Sequence, residues 1–152
     1  MFYQTSFYRN LLKDNVLLIL RRRIIFDFNF SERTKDMASI LDEIDLNVRE
    51  IQAAAVVSVE GLPIASKLPD QYEDTIIAAM TAAMLSLGDK IASNLDKGTL
   101  EKIMIEGANG VVVSMAAGPN AVLTVSAEKD APLGLLFMEM AAGAKKISEL
   151  LM

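Results

Sequence analysis

The sequence predicts an α/β domain with elements in the order α-β-β-α-β-β-β-α, in which helices cover both faces of a five-stranded antiparallel sheet. Three observations carry that prediction. Residues Ile51–Val59 and the pair Val111–Ala116 and Ala121–Ala127 are near-continuous apolar runs of strand length, and strands apolar on both faces need cover on both sides. Between them, residues 71–95 carry large apolar side chains at a helical spacing. The dipeptide Asn109-Gly110 is a strong hairpin signal, since a type I′ turn needs positive φ at both central residues.

Each element follows from local pattern. Ser39 ahead of Asp42 and Glu43 reads as a helix start, because acidic groups favour the positive end of a helix. Ile40, Leu41, Ile44 and Val48 then share one face of a short amphipathic helix ending near Asn47–Arg49. Ile51–Val59 is the first strand, Glu60-Gly61 its turn, and Leu62–Leu68 the return strand. Pro63 cannot donate to a ladder, which places that return strand at a sheet edge. Asp70 and Glu73 form a start signal for the long middle helix, Gln71–Leu95, which Gly98 stops. Ile76, Met80, Met84, Leu87, Ile91 and Leu95 make its large-residue stripe, flanked by a small-residue surface of Ala78, Ala79, Ala82, Ala83, Ser86, Ala92 and Ser93. Thr99–Glu106 is the third strand, with Ile103 and Ile105 on one face and Lys102, Met104 and Glu106 on the other. Gly118-Pro119-Asn120 joins the last two strands, and Asp130 caps a final helix with Pro132 in its first turn. The buried stripe expected for that helix is Leu133, Leu136, Phe137, Met140, Ala144, Ile147 and Leu151.

Composition changes abruptly before Met37. Residues 1–36 lack Ala, Gly and Pro, hold seven of the nine aromatic residues and carry seven basic against four acidic side chains, a net +3. Residues 37–152 carry eight basic against sixteen acidic side chains, a net −8. The expected organisation is therefore a basic aromatic extension, 1–36, ahead of a patterned domain, 37–152. The extension reads three ways: an arm that touches anionic lipid or nucleic acid through Arg21–Arg23, a poorly ordered segment with a helical turn or two around Leu11–Ile25, or sequence upstream of a native start at Met37. Val16–Leu20 is only five apolar residues, against roughly 7–15 for a signal-peptide core and about 20 for a membrane span. No membrane insertion is expected, and the expected location is cytoplasmic.

With no His, Cys or Trp, the chain has no disulfide, thiolate or imidazole chemistry. Its serines occupy no Gly-x-Ser-x-Gly elbow. Gly107-Ala-Asn-Gly110 lacks the following Lys and helix of a phosphate loop and reads as a turn. Glu128 and Asp130 are a close carboxylate pair without a catalytic context, and Asp42, Glu43 and Asp45 lack the spacing and glycine of a calcium loop. The acidic domain carries no basic stripe for nucleic acid. No catalytic residue, cofactor or metal site is predicted, and no enzyme activity.

The pattern instead offers surplus apolar surface. The sparsely charged small face of the middle helix and the unguarded third strand suit a homodimer, in which the strand pairs with its copy across a two-fold axis. The predicted interface is Ala78, Ala79, Ala82, Ser86, Asp89 and Ser93 on the helix with Lys102, Ile103, Met104, Ile105 and Glu106 on the strand. Lys102 and Glu106 are placed to pair across the axis.

Residues 37–152 resemble the Roadblock family of dynein light chains and of bacterial and archaeal regulators of Ras-like small GTPases. The residues that carry this are the turn and strand Gly118-Pro-Asn-Ala-Val-Leu123, the helix opening Lys129-Asp-Ala-Pro-Leu-Gly134, and the hairpin Ala54–Ala65. The resemblance implies a non-catalytic dimer in which third strands join two sheets and middle helices meet, forming a platform for a small GTPase or a larger scaffold. It implies no nucleotide-hydrolysing residue, because such regulators position the partner's own groups. The extension at 1–36 departs from the compact family pattern. Two alternatives stand beside the GTPase regulator: a small-ligand sensor with a pocket between sheet and helix, where Ala53–Ala55 and Ala116-Ala117 leave room, and a purely structural assembly subunit.

Overall fold

The structure, a computed structural model, describes the backbone from Val16 and the side chains from Phe30 to Met152. Residues 1–15 and the side chains of Arg21–Arg23 lie outside the described residues, and with them the lipid or nucleic-acid reading of that segment. The chain divides into two compact units, Met1–Arg33 and Thr34–Met152. The second unit contains every strand among the described residues.

The elements are α1 (Val16–Asn47), β1 (Ile51–Ser58), β2 (Pro63–Lys67), α2 (Asp74–Asn94), β3 (Lys102–Gly107), β4 (Gly110–Ala116), β5 (Ala121–Glu128) and α3 (Leu133–Leu151). All strand pairs are antiparallel, in the order β2-β1-β5-β4-β3. The predicted α-β-β-α-β-β-β-α order and five-stranded sheet are therefore present. Pro63 sits on an edge strand, as its missing N–H requires.

Helix starts are where the sequence misleads. Ser39 lies inside α1 and its hydroxyl donates to the Lys35 carbonyl, a bond back along the helix that caps nothing. Helix α2 begins at Asp74 after Glu73, not at the Asp70 signal, and Glu73 makes no side-chain cap; Pro69–Tyr72 is instead a turn closed by the Tyr72 N–H on the Pro69 carbonyl. Helix α3 begins at Leu133 after Pro132, and Asp130 does not cap it; the local bond there is a turn from the Ala131 N–H to the Glu128 carbonyl. At its far end α2 stops before Gly98. Asp96 takes the left-handed conformation (φ 56°) and the Lys97 N–H reaches back to the Ala92 carbonyl, a Schellman-type closure.

The β3–β4 hairpin falls where Asn109-Gly110 puts it, but Gly107 pairs with Gly110, so Ala108 and Asn109 are the central residues. Neither has positive φ, so the turn is not type I′. Glycine is required at 110 for another reason: a Cβ there would lie 2.5 Å from the Ala127 carbonyl oxygen on neighbouring β5.

One sheet face carries the main core. Val56, Val111, Val113, Met115, Leu123 and Val125 meet Met37, Leu41, Ile44 and Val48 from α1 and its end, and Leu136, Met140, Ala144 and Ile147 from α3. In the predicted stripe of α3, Leu136, Met140, Ala144 and Ile147 are buried, Phe137 and Leu151 are half-buried, and Leu133 is exposed. Two polar links tie α1 to α3, Asn47 donating to Glu139 and Lys146 paired with Glu43 at 2.9 Å. The opposite face carries α2 over Ala55, Val57 and Val122.

On that face Ser114 and Thr124 share a hydroxyl hydrogen bond of 2.7 Å, both residues buried. Thr124→Val is expected to leave the Ser114 hydroxyl buried without this partner and to cost about 1–3 kcal/mol. Urea unfolding measures it. Adding Ser114→Ala to the same chain should recover part of the loss; an unchanged midpoint in the single variant would contradict this account of the bond.

Candidate functional site

The side of α2 that meets the sheet is the small one. Ala78 and Thr81 are buried, Leu85 packs on Val57 and Val122, and the run Ala78, Thr81, Leu85, Gly88, Ala92 is a single helical stripe. Small residues let helix and strands approach closely. At Gly88 a Cβ would lie 2.3 Å from the Ile103 Cδ1, and at Gly61 (φ +93°), the tip of the β1–β2 hairpin, a Cβ would lie 3.3 Å from the Ala79 Cα. Hairpin and sheet thus take up the Ala78 side of the small surface, while Ala79, Ala83, Ser86 and Ser93 stay exposed.

Five of the six large stripe residues consequently face outward, and the sixth, Met84, is half-buried beside the sheet. Ile76, Met80, Leu87, Ile91 and Leu95 are each between 52% and 62% exposed, while Ala78 is 0%. The large stripe, read from sequence as the core side of the helix, is thus mostly surface. Among the predicted interface residues, Ala78 is closed to any partner and Ala82 and Ile103 are half-buried. Ala79, Ser86, Asp89 and Ser93 are exposed on α2, and Lys102, Met104, Ile105 and Glu106 are exposed on β3. Sequence reading missed the ridge of Ile76, Met80, Leu87 and Ile91 as surface. The signal that marks the inner side is Gly88: glycine in a helix interior costs about 1 kcal/mol against alanine and points to close packing. The same ridge makes Asp74–Asn94 long and apolar enough to cross a bilayer by length and composition. Here the helix lies on the sheet through Ala78 and Thr81.

Beside the ridge lies β3, at the edge of the sheet opposite β2. Its register, Ile103 with Ser114 and Ile105 with Val112, turns Ile103 and Ile105 to the α2 face and Lys102, Met104 and Glu106 to the α3 face. The other edge is blunted by Pro63, and its Lys67 is held by Asp42 at 3.0 Å and Asp45 at 2.8 Å. On β3 the outward backbone groups have no covering element among the described residues. Lys102 Nζ stands 4.8 Å over the Phe137 ring, a cation–π contact within the protomer.

The acidic cluster weighed as a cation site is engaged otherwise. Hydrogen bonds to Asp45 and then Asp42 raise the Lys67 pKa above its ordinary 10.5, so this stabilisation is present at neutral pH and is lost as pH rises through the raised value. Lys67 and Asp42 are exposed and Asp45 is partly so, and such surface pairs contribute little. Glu43 is taken by Lys146. Among the described residues no group of three or more acidic side chains is placed to hold a metal.

A groove of about 370 Å³ opens between the N-terminal half of α2 and the sheet. Ala53, Ala55, Val112, Thr124 and Ser126 form its floor, Ile77, Met80, Thr81 and Met84 one wall, and Leu68 and Tyr72 the rim. Ala53–Ala55 thus border a space, as their size predicts. Ala117 is filled in by the core, and Ala116 borders a separate shallow depression beside Ser148 and Met152.

Residues 38–127 match the Roadblock/LC7 domain. An uncharacterized protein of Methanocaldococcus jannaschii, MJ1340, is 35% identical over 105 residues, which cover 68% of this chain and 91% of that protein. Among solved structures, a Roadblock/LC7 domain from Streptomyces avermitilis superposes with TM-score 0.71 at 23% identity, covering 75% of this chain and 96% of that one. An MglB structure described with a tetrameric arrangement superposes with TM-score 0.72 at 17% identity, covering 78% and 89%.

Proposed function

Because the chain belongs to the Roadblock/LC7 family, we propose that it is a non-catalytic, cytoplasmic homodimeric adaptor that regulates a Ras-like small GTPase or seats it on a larger scaffold. The observation that carries this reading is the exposed ridge of α2 beside the open edge of β3. Large aliphatic side chains contribute roughly 1.5–3 kcal/mol each when fully buried, so a ridge of five left half in water is a strong association surface. An open strand edge beside it supplies direction, because only a second strand satisfies its backbone groups. Two copies related by a two-fold axis pair β3 with β3 and bring the two ridges of Ile76, Met80, Leu87 and Ile91 together. The interface of this reading keeps Ile103, Met104, Ile105 and Glu106 and replaces Ala78 by the ridge. The tetrameric arrangement of the MglB structure is compatible with self-association through such surfaces.

The partner GTPase supplies its own catalytic groups in this reading, and the dimer holds them in place. The full chain, immobilised and exposed to the cytosolic Ras-like GTPases of its source, is expected to retain one of them and to change its nucleotide turnover or exchange. If none binds or responds while the chain is dimeric, the GTPase reading fails and the structural-subunit reading takes its place.

A further inference from the structure

We infer that the groove between α2 and the sheet is a binding site for a small, uncharged, elongated apolar molecule carrying a hydrogen-bonding group such as a hydroxyl or carbonyl. This goes beyond the adaptor reading and does not depend on it. Its volume of about 370 Å³ falls in the range of small-molecule pockets, roughly 300–1,000 Å³. None of its thirteen lining residues is charged, so the site offers nothing to balance the charge of an ionic ligand.

The space is created by residue choice. Ala53 and Ala55 face α2 from β1, opposite Ser126 and Thr124 of β5, so the floor is small side chains where α/β cores elsewhere use Val, Ile or Leu. Met80 and Met84 wall the groove with unbranched, adaptable side chains suited to an irregular apolar occupant. Three hydroxyl-bearing residues, Tyr72, Thr81 and Ser126, stand among these apolar walls, beside Thr124, whose hydroxyl is held by Ser114.

That mixture separates the groove from the dimer ridge. The ridge offers only Ile, Leu and Met, and laying it into the groove would set aliphatic carbon against those hydroxyls. An apolar molecule with one polar group satisfies both chemistries. On the helix, Ile76, Leu87 and Ile91 point outward opposite Ala78, while Ile77, Thr81 and Met84 flank the groove; Met80, and Ile105 on β3, belong to both surfaces.

The test uses the full chain and N-phenyl-1-naphthylamine, an uncharged probe that brightens in apolar sites. Saturable binding at one site per chain is expected. Ala53→Leu, which fills the floor, should weaken it about tenfold or more. Tyr72→Ala, at a half-exposed rim position that tolerates truncation, should weaken it as well. Decanol should displace the probe at least about tenfold better than decanoate, whose charge finds no partner. Binding is expected both where the protein is assembled and where dilution has dissociated it. Probe binding unchanged in both variants, or equal displacement by decanoate, overturns the site. Binding by the dissociated chain alone shows that the partner copy's helix fills the groove, and overturns it too.

Discussion

Leu87→Glu is expected to turn the protein from a dimer into a monomer while leaving the Thr34–Met152 unit folded. Leu87 is 61% exposed on α2, so the protomer tolerates a polar side chain there. In the dimer the same carboxylate would be buried against aliphatic carbon with no counter-charge, at a cost of about 3–5 kcal/mol. That corresponds to a dissociation constant raised at least about a hundredfold. Leu46→Glu is the matched control. Leu46 is 79% exposed on α1, which covers the opposite face of the sheet, and its substitution should leave association unchanged. Sedimentation velocity separates the outcomes. Identical sedimentation of Leu87→Glu and the parent chain would remove the ridge from the interface.

Leu136→Ala is expected to destabilise the domain by about 2–5 kcal/mol. Leu136 is fully buried where α3 meets the sheet, among Met140, Ile147 and the α1 residues Leu41 and Ile44. Truncation there removes transfer energy and leaves a cavity between α1, α3 and the sheet, in a fold whose whole stability is about 5–15 kcal/mol. Met138→Ala, two residues on and 62% exposed, should change stability by no more than about 0.5 kcal/mol. Urea midpoints for the two variants test the rotational setting of α3, and a reversed order would contradict it.

Much of this architecture was legible in the sequence because single residues impose hard constraints. Pro63 lacks a donor and had to lie at an edge. Strands without a polar face, such as Val111–Ala116, had to be covered twice. Leu136, Met140, Ala144 and Ile147 recur at a spacing only a helix turns to one side. Helix starts were less legible, because Ser39, Asp70 and Asp130 have cap chemistry and capping depends on backbone direction. In Ser39 the same hydroxyl instead bonds back to Lys35 inside a continuing helix.

The large stripe of α2 was misassigned for a physical reason. Large apolar residues mark a core only when the surface they meet has room for them. Gly88 lies against Ile103 of β3 and the hairpin tip at Gly61 presses on Ala79, so the helix comes close to sheet and hairpin there and only small residues fit between. Large residues are then left outside, and a periodicity analysis of one helix does not see the strands it will meet. The strand half of the predicted surface, Lys102–Glu106, depended only on β alternation and edge position, and both hold in the structure. The groove was legible in part: Ala53–Ala55 announced space, but its walls come from residues far apart in sequence.

The central claim is that β3 is completed by the β3 of a second copy. Amide hydrogen exchange measured across a dilution series tests it most directly, at the β3 amides that point away from β4. The account predicts slow exchange of those amides at concentrations where the chain is dimeric, and open-edge rates on dilution or in Leu87→Glu. Open-edge exchange at every concentration, with the ridge assembled or not, would contradict it.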